Sequence, residues 1–351
     1  MDTEIFRIGG GNISAYNGAL TRAAEIIRNG GLVVFPTETV YGLGGDATNP
    51  LSADKIYSAK GRPSDNPLII HIAKPADAEK YTYTSELYYR LAEHFMPGPL
   101  TVVLPARETV ARQTRANLDT VAVRCPENEI ARRLIELSGV AIAAPSANIS
   151  GSPSPTKASH VIADMMGKVD MIIDGGDCSF GLESTIVKIE NDGTMTLLRP
   201  GKITPEELSL FGTVKVAGAV TSALKEGERV LSPGMKYRHY APHSPLVLVD
   251  GDTDGMLECI RADGYVRVAV LAYSEDVAKI AKTAPKAKIY ELGARDDMCE
   301  QAHKLFSCLR LADTEDYEQI YAPLPEKRGI GLALYNRLIR AAAHRIIKIE
   351  K

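Results

Sequence analysis

The stretch AYNGALTRAAEIIRNGGLVVFPTETVYGL, residues 15–43, changes period halfway along and so sets the fold class. In 15–31 the apolar residues Ala19, Leu20, Ala23, Ile26 and Ile27 share one face at helical spacing, and Gly30-Gly31 close the helix. Leu32–Phe35 then form a short apolar strand that Pro36 breaks. Working outward, strand patterns recur at 67–72, 100–106, 120–125, 140–146, 169–176 and 184–190, with helical stretches at 52–59, 85–95, 128–138 and 156–166. This is a mixed sheet with helices, an α/β domain. The pattern loosens from 206 to 245, a stretch that ends in ERVLSPGMKYRHYAPHSP, 228–245. From 246 it is regular, with strands PLVLVD, VRVAVLA, AKIYEL, YEQIYAPL and HRIIKI. Helices near 252–262, 274–284, 295–311 and 329–342 alternate with them, which predicts a smaller Rossmann-like, doubly wound parallel sheet. No GxGxxG is present, so dinucleotide binding is not implied. The expected organisation is a first domain over 1–210, a linker over 211–245 and a second domain over 246–351.

Bulk chemistry narrows the function classes. The 351 residues carry a formal net charge of -3, all of it within 1–205. No polycationic excess supports a large nonspecific nucleic-acid footprint. The five cysteines form no CxxC and no regular framework, and MDTEIFRIGGGN does not read as a secretory leader, so free thiols and a cytoplasmic location are expected. No apolar run approaches eighteen residues, so no membrane association is expected.

KGRPSDNPLIIHI, 60–72, places Lys60 and Arg62 on a proline-stiffened turn directly before a strand. A solvated loop fits these residues. So does an anion site, because a compact ammonium and a rigid guanidinium fork suit adjacent phosphate oxygens. No Walker loop occurs, so a nucleotide would need another device. In AAPSANISGSPSPT, 143–156, Ser146 and Asn148 follow a strand end, where α/β sheets place ligands and where ordinary turns also form. In LDTVAVR, Thr120, Ala122 and Arg124 share one strand face, and Arg124 is mounted either for a carboxylate or for solvent. Thr37 and Thr39 follow the first strand, and Ser184 and Thr185 begin another. GLGGD, 42–46, reads as a turn. His239 and His243 have a metal-like spacing but flank Pro242 with no nearby cysteine or carboxylate cluster, so no protein-ligated metal is assigned.

Taken together, FPTETVYGLG (35–44), KGRPSDNPLIIHI, PGPLTVVL (97–104), LDTVAVRCP (118–126), APSANISGSPSPT (144–156), GLESTIV (181–187), LLRPG (197–201) and SPGMKYRHYAP (232–242) resemble the YrdC-type threonylcarbamoyl-AMP synthases in their long form. The resemblance implies that family's twisted mixed sheet, followed by a linker and a C-terminal domain. It also implies the family's nucleotidyltransferase reaction, in which L-threonine, bicarbonate or CO2 and ATP give L-threonylcarbamoyladenylate and pyrophosphate. Partner proteins then carry the threonylcarbamoyl group to the adenosine beside the anticodon of tRNA. The implied catalytic signature falls on Lys60, Arg62, Ser146 and Asn148, which would hold the ATP phosphates. Arg199, Thr120, Ser154 and Tyr240 are the further implied ATP contacts. Thr37, His71, Arg124, Ser184 and the backbone near Ala144 are the implied threonine pocket. Mg2+ is expected with the ATP phosphates, with no ligand assigned from the protein. The linker residues Lys236, Tyr237, Arg238, His239 and Tyr240 would close over the nucleotide. Two rival readings remain: an RNA-binding protein using Lys60, Arg62 and Arg124, and a carbamoyltransferase of the hydrogenase-maturation type, whose zinc-finger cysteine pairs are missing here. Direct tRNA binding is left open by the sequence.

Overall fold

The computed structural model describes residues 2–9, 12–222, 240–264 and 266–349. They fall into two compact units, one comprising the described residues of 2–150 and 154–220, the other those of 151–153, 221–222 and 240–349.

The first unit is built on a mixed sheet. Its strands are β1 (Glu4–Arg7), β2 (Val33–Phe35), β3 (Gly42–Asp46), β4 (Ile69–His71), β5 (Leu100–Pro105), β6 (Thr120–Arg124), β7 (Ile142–Ala143), β8 (Met171–Asp174), β9 (Thr185–Ile189), β10 (Met195–Arg199) and β11 (Val214–Val216). Their order across the sheet is β1-β8-β2-β3-β7-β4-β6-β5-β9-β10-β11. The two-residue β7 lies antiparallel between β3 and β4, while β4 and β6 run parallel. The helices α1 (Asn17–Arg28), α2 (Pro50–Lys60), α3 (Glu86–Phe95), α4 (Glu129–Ser138), α5 (Ala158–Met165) and the short α6 (Pro205–Leu208) complete the unit. Helix α1 buries Leu20, Ala23, Ala24 and Ile27, and stops where Gly30 takes φ 75. That face packs with Leu134 and Ile135 of α4 over Val33 and Phe35.

GLGGD, read above as a turn, is strand β3 and is buried along its whole length. The glycines answer to packing. A Cβ on Gly44 would come within 2.7 Å of the Phe35 ring and 2.8 Å of Ile142. Only Leu43 and Asp46 of its five residues carry side chains, too few for an alternation to be read. A second correction concerns Lys60, which is not on the proline turn but is the last residue of α2. Asn49 caps that helix at its start, Pro50 follows in the first turn, and Gly61 ends it at φ 61.

The second unit holds five parallel strands, β12 (Leu246–Asp250), β13 (Val268–Tyr273), β14 (Lys288–Gly293), β15 (Gln319–Pro323) and β16 (Ile346–Lys348), in the order β14-β13-β15-β12-β16. Helices α7 (Thr253–Asp263), α8 (Ser274–Thr283), α9 (Met298–Ala312) and α10 (Gly329–Ala341) alternate with them. Val247, Val249, Val268 and Val270 pack on the face that receives Met256, Ile260 and Ile280 from α7 and α8. Among the described residues no helix is long and apolar enough to cross a membrane.

Candidate functional site

Pro36 follows the end of β2, and the next five residues, Thr37 to Tyr41, lead into β3. Thr37 closes a turn there: its hydroxyl donates to the Val40 carbonyl at 2.7 Å and accepts the amides of Thr39 and Val40 at 3.2 Å. The turn presents Thr37 to a cleft and carries Glu38 behind it.

The strand ends supply the next layer. His71 closes β4 and Arg124 closes β6, and their register makes them direct neighbours. Thr101 of β5 is opposite Arg124, and its hydroxyl lies 2.7 Å from that of Ser184, just before β9. Arg199 at the end of β10 donates from Nε to the Ser184 carbonyl and from Nη2 to the Ser184 hydroxyl, both at 3.0 Å. The following Pro-Gly lies directly on this backbone, since a Cβ on Gly201 would sit 2.5 Å from the Thr185 nitrogen. Four strands thus deliver His71, Arg124, Ser184 and Arg199 to one place.

Helix α2 ends at Lys60, and Arg62 follows two residues on. Lys60, 2 % exposed, donates from Nζ to the carbonyls of Ser146 and Asn148 at 2.5 and 2.6 Å. Within that loop the Ser146 hydroxyl donates to Asn148 Oδ1 at 2.5 Å, and Asn148 Nδ2 to the Ile149 carbonyl at 2.7 Å. The ammonium of Lys60 therefore holds the loop. Arg62 reaches the cleft beside Ser146, with Nη2 on the carbonyls of Asn66 and Pro67 at 3.2 and 3.1 Å.

The cleft encloses about 40 Å³ of water-sized space. Thr37, Arg62, His71, Arg124, Ala144, Ser146, Ser184 and Arg199 all line it. Lys60, at the end of α2, and Asn148, in the loop that Lys60 holds, do not line it. Ser154 is fully buried and donates to Glu183 at 2.5 Å. Thr120 opens β6, four residues or about 13 Å of strand away from Arg124. Tyr240 belongs to the second unit, where its buried ring packs on Phe306 at 5.2 Å. Lys236, Tyr237, Arg238 and His239 of the expected cover lie outside the described residues.

The cleft is cationic, with three guanidinium groups from Arg62, Arg124 and Arg199. Burial, reinforced by the charges of Arg124 and Arg199, pushes the His71 imidazole down to about 3. His71 is therefore neutral at pH 7, and its Nδ1 has no hydrogen-bond partner among the described residues. Asn66 is completely buried beside Arg62, with neither side-chain polar atom paired among the described residues. Two carboxylates balance part of the charge. Glu38 pairs with Arg124 Nη2 at 2.6 Å, and Glu183 lines the cleft. Sequence reasoning gave no site role to Asn66, Thr101, Glu38 or Glu183. Each carboxylate sits inside a quoted motif, and the signal available was an acidic residue held within an otherwise cation-rich set.

Comparison with known proteins identifies the family. The family model described as "Telomere recombination" matches residues 25–201, and that described as "Threonylcarbamoyl-AMP synthase, C-terminal domain" matches 203–343. The threonylcarbamoyl-AMP synthase of Pyrococcus abyssi is 44% identical over 93% of this chain and 95% of its own. That of Bacillus subtilis is 40% identical over 96% of each. The crystal structure of P. abyssi Sua5 complexed with L-threonine superposes with a TM-score of 0.86 at 41% identity, covering 100% of both chains. Two adjoining family matches and near end-to-end relatives place this chain in the threonylcarbamoyl-AMP synthase family.

Proposed function

We infer that this protein is an L-threonylcarbamoyladenylate synthase, joining L-threonine, bicarbonate or CO2 and ATP with release of pyrophosphate. The observation that carries the reading is the convergence of Arg62, Arg124 and Arg199 with a neutral His71 on one cleft. Two anionic reactants, a triphosphate and an amino-acid carboxylate, need cations at two places, and guanidinium forks serve both. A relative crystallised with L-threonine supports the amino-acid half of the reading.

Arg62, with Asn66 beside it and the loop of Ser146 and Asn148 held by Lys60, is the phosphate side. Arg199, Ser154, Thr120 and Tyr240 are the remaining nucleotide contacts in this reading. Arg124 meets the threonine carboxylate, with His71, Thr37, Ser184 and the Ala144 backbone around the rest of the amino acid. The neutral amine of threonine attacks CO2, forming the C–N bond and releasing a proton. The resulting carbamate oxygen attacks the α-phosphorus, and the bond to pyrophosphate breaks. Both steps gain from positioning and from stabilising charge on the phosphate oxygens. Among the described residues no three His, Cys, Asp or Glu side chains gather as a metal site. Mg2+ is expected with the ATP phosphates in this reading and would offset part of their charge. The product passes to a threonylcarbamoyl-transfer complex that modifies tRNA in the cytoplasm.

The test incubates the protein with ATP, bicarbonate and threonine, and follows pyrophosphate together with the adenylate by mass. Threonine-dependent formation of both supports the reading. ATP consumption that ignores threonine, or strong salt-sensitive RNA binding without adenylate, refutes it.

A further inference from the structure

We propose that Glu38 is a positioning residue that sets the Arg124 guanidinium for the amino-acid carboxylate and thereby fixes the affinity for threonine. The inference rests on reading the cleft as the threonine site.

A guanidinium offers five N–H donors in a rigid fork. Arg124 uses Nε on the Gly98 carbonyl at 3.3 Å and Nη2 on Glu38 Oε1 at 2.6 Å. Both contacts fall on the Nε and Nη2 side of the fork, and Nη1 has no hydrogen-bond partner among the described residues. Nη1 and Nη2 together form the end-on pair that meets a carboxylate with two parallel hydrogen bonds. Arg124 lines the cleft, whereas Glu38 is buried without lining it. Glu38 therefore acts through Arg124.

The carboxylate is itself held on all sides. Its Oε2 accepts the Glu127 amide at 3.2 Å. Its backbone carbonyl accepts the Phe180 amide at 2.8 Å, and it occupies the turn that Thr37 closes. The side chains of the pair are 5% and 6% exposed, so water is largely kept from competing for the guanidinium. With one acceptor removed, only the Gly98 carbonyl at 3.3 Å still holds the fork, and the end-on edge is less firmly aimed.

The experiment compares parental protein with Glu38→Gln, measuring kcat and the KM for threonine and for ATP by pyrophosphate release. An amide has one acceptor oxygen where the carboxylate has two, so the substituted side chain cannot satisfy both Arg124 and the Glu127 amide. The expected result is a threonine KM raised about tenfold or more, with the ATP KM within about twofold of parental. In an Arg124→Ala background the same change should move the threonine KM by less than about twofold, because its route of action is gone. If Glu38→Gln does not fold, Glu38→Asp keeps the charge, shortens the reach and is read in the same way. An unchanged threonine KM, a parallel rise in both KM values, or a full effect without Arg124 overturns the inference while leaving the functional reading intact. A parental protein with no threonine-dependent turnover overturns the reading beneath it, and this inference with it.

Discussion

Replacing Lys60 by methionine keeps the apolar stem in its buried place and deletes only the ammonium. That ammonium makes the two hydrogen bonds to the Ser146 and Asn148 carbonyls, at 2.5 and 2.6 Å, from a side chain 2 % exposed. A hydrogen bond from a charged donor contributes about 1.5–3 kcal/mol, and a buried carbonyl left without its donor costs a similar amount. Taking the low end for each, the loop loses about 3 kcal/mol of preference for its present conformation. That is about a hundredfold in the population competent to bind phosphate. The backbone bond from the Ser150 amide to the Lys60 carbonyl, at 2.9 Å, does not depend on the side chain, so the loop stays tethered while its tip loosens. The predicted signature is accordingly local. kcat/KM for ATP falls about a hundredfold, and amide exchange accelerates at 146–149 but not within α2. A variant that keeps kcat/KM within about threefold of parental, with unchanged exchange at 146–149, would refute the clamp and with it the placement of the phosphate side at this loop.

Three further outcomes follow from other parts of the structure. Arg62→Ala removes two charge-assisted contacts of about 1.5 kcal/mol each, so pyrophosphate release should fall about a hundredfold while threonine binding by calorimetry stays near parental. Because the His71 imidazole is pushed down to about 3, the unfolded chain takes up a proton near 6.5 that the folded chain refuses. Stability from this group is complete above pH 6.5 and is lost as pH falls, by about 2 kcal/mol at pH 5. Urea midpoints at pH 7 and 5 should therefore converge in His71→Gln relative to parental. Gly44→Ala drives a Cβ to 2.7 Å from the Phe35 ring and should cost about 1–3 kcal/mol by thermal melt, whereas a neutral result would mean that β3 is not packed as described.

The second unit could be read from sequence because its strands are covered on both faces. Segments such as LVLV and VAVLA are unbroken apolar runs between helical patterns, and a parallel sheet writes itself that way. The first unit was harder to read for a specific physical reason: its decisive contacts replace side chains with backbone. Three of the five residues of β3 are glycine, with Phe35 and Ile142 pressed on Gly44 and with Leu32 and Ile56 against Gly45, and β7 is only two residues long. Neither leaves a period to detect. The cationic groups of the cleft stood out because Arg and Lys beside buried strands are uncommon, and Arg62, Arg124 and Arg199 do line one cleft.

What spacing along the chain does not reveal is which cation faces a ligand and which is already engaged. Lys60 and Arg62 are two residues apart, yet the end of α2 falls between them. That single helix terminus sends one ammonium inward to the loop carbonyls and the next guanidinium to the cleft. Glu38 was silent for the complementary reason. An acid in a set of expected anion ligands looks out of place until the geometry shows it 2.6 Å from Arg124. A buried guanidinium without a counter-charge is costly, and one held only by a mobile substrate would have to be ordered anew at every turnover. A resident carboxylate on one edge leaves the other edge ready, which makes the acid part of the anion site.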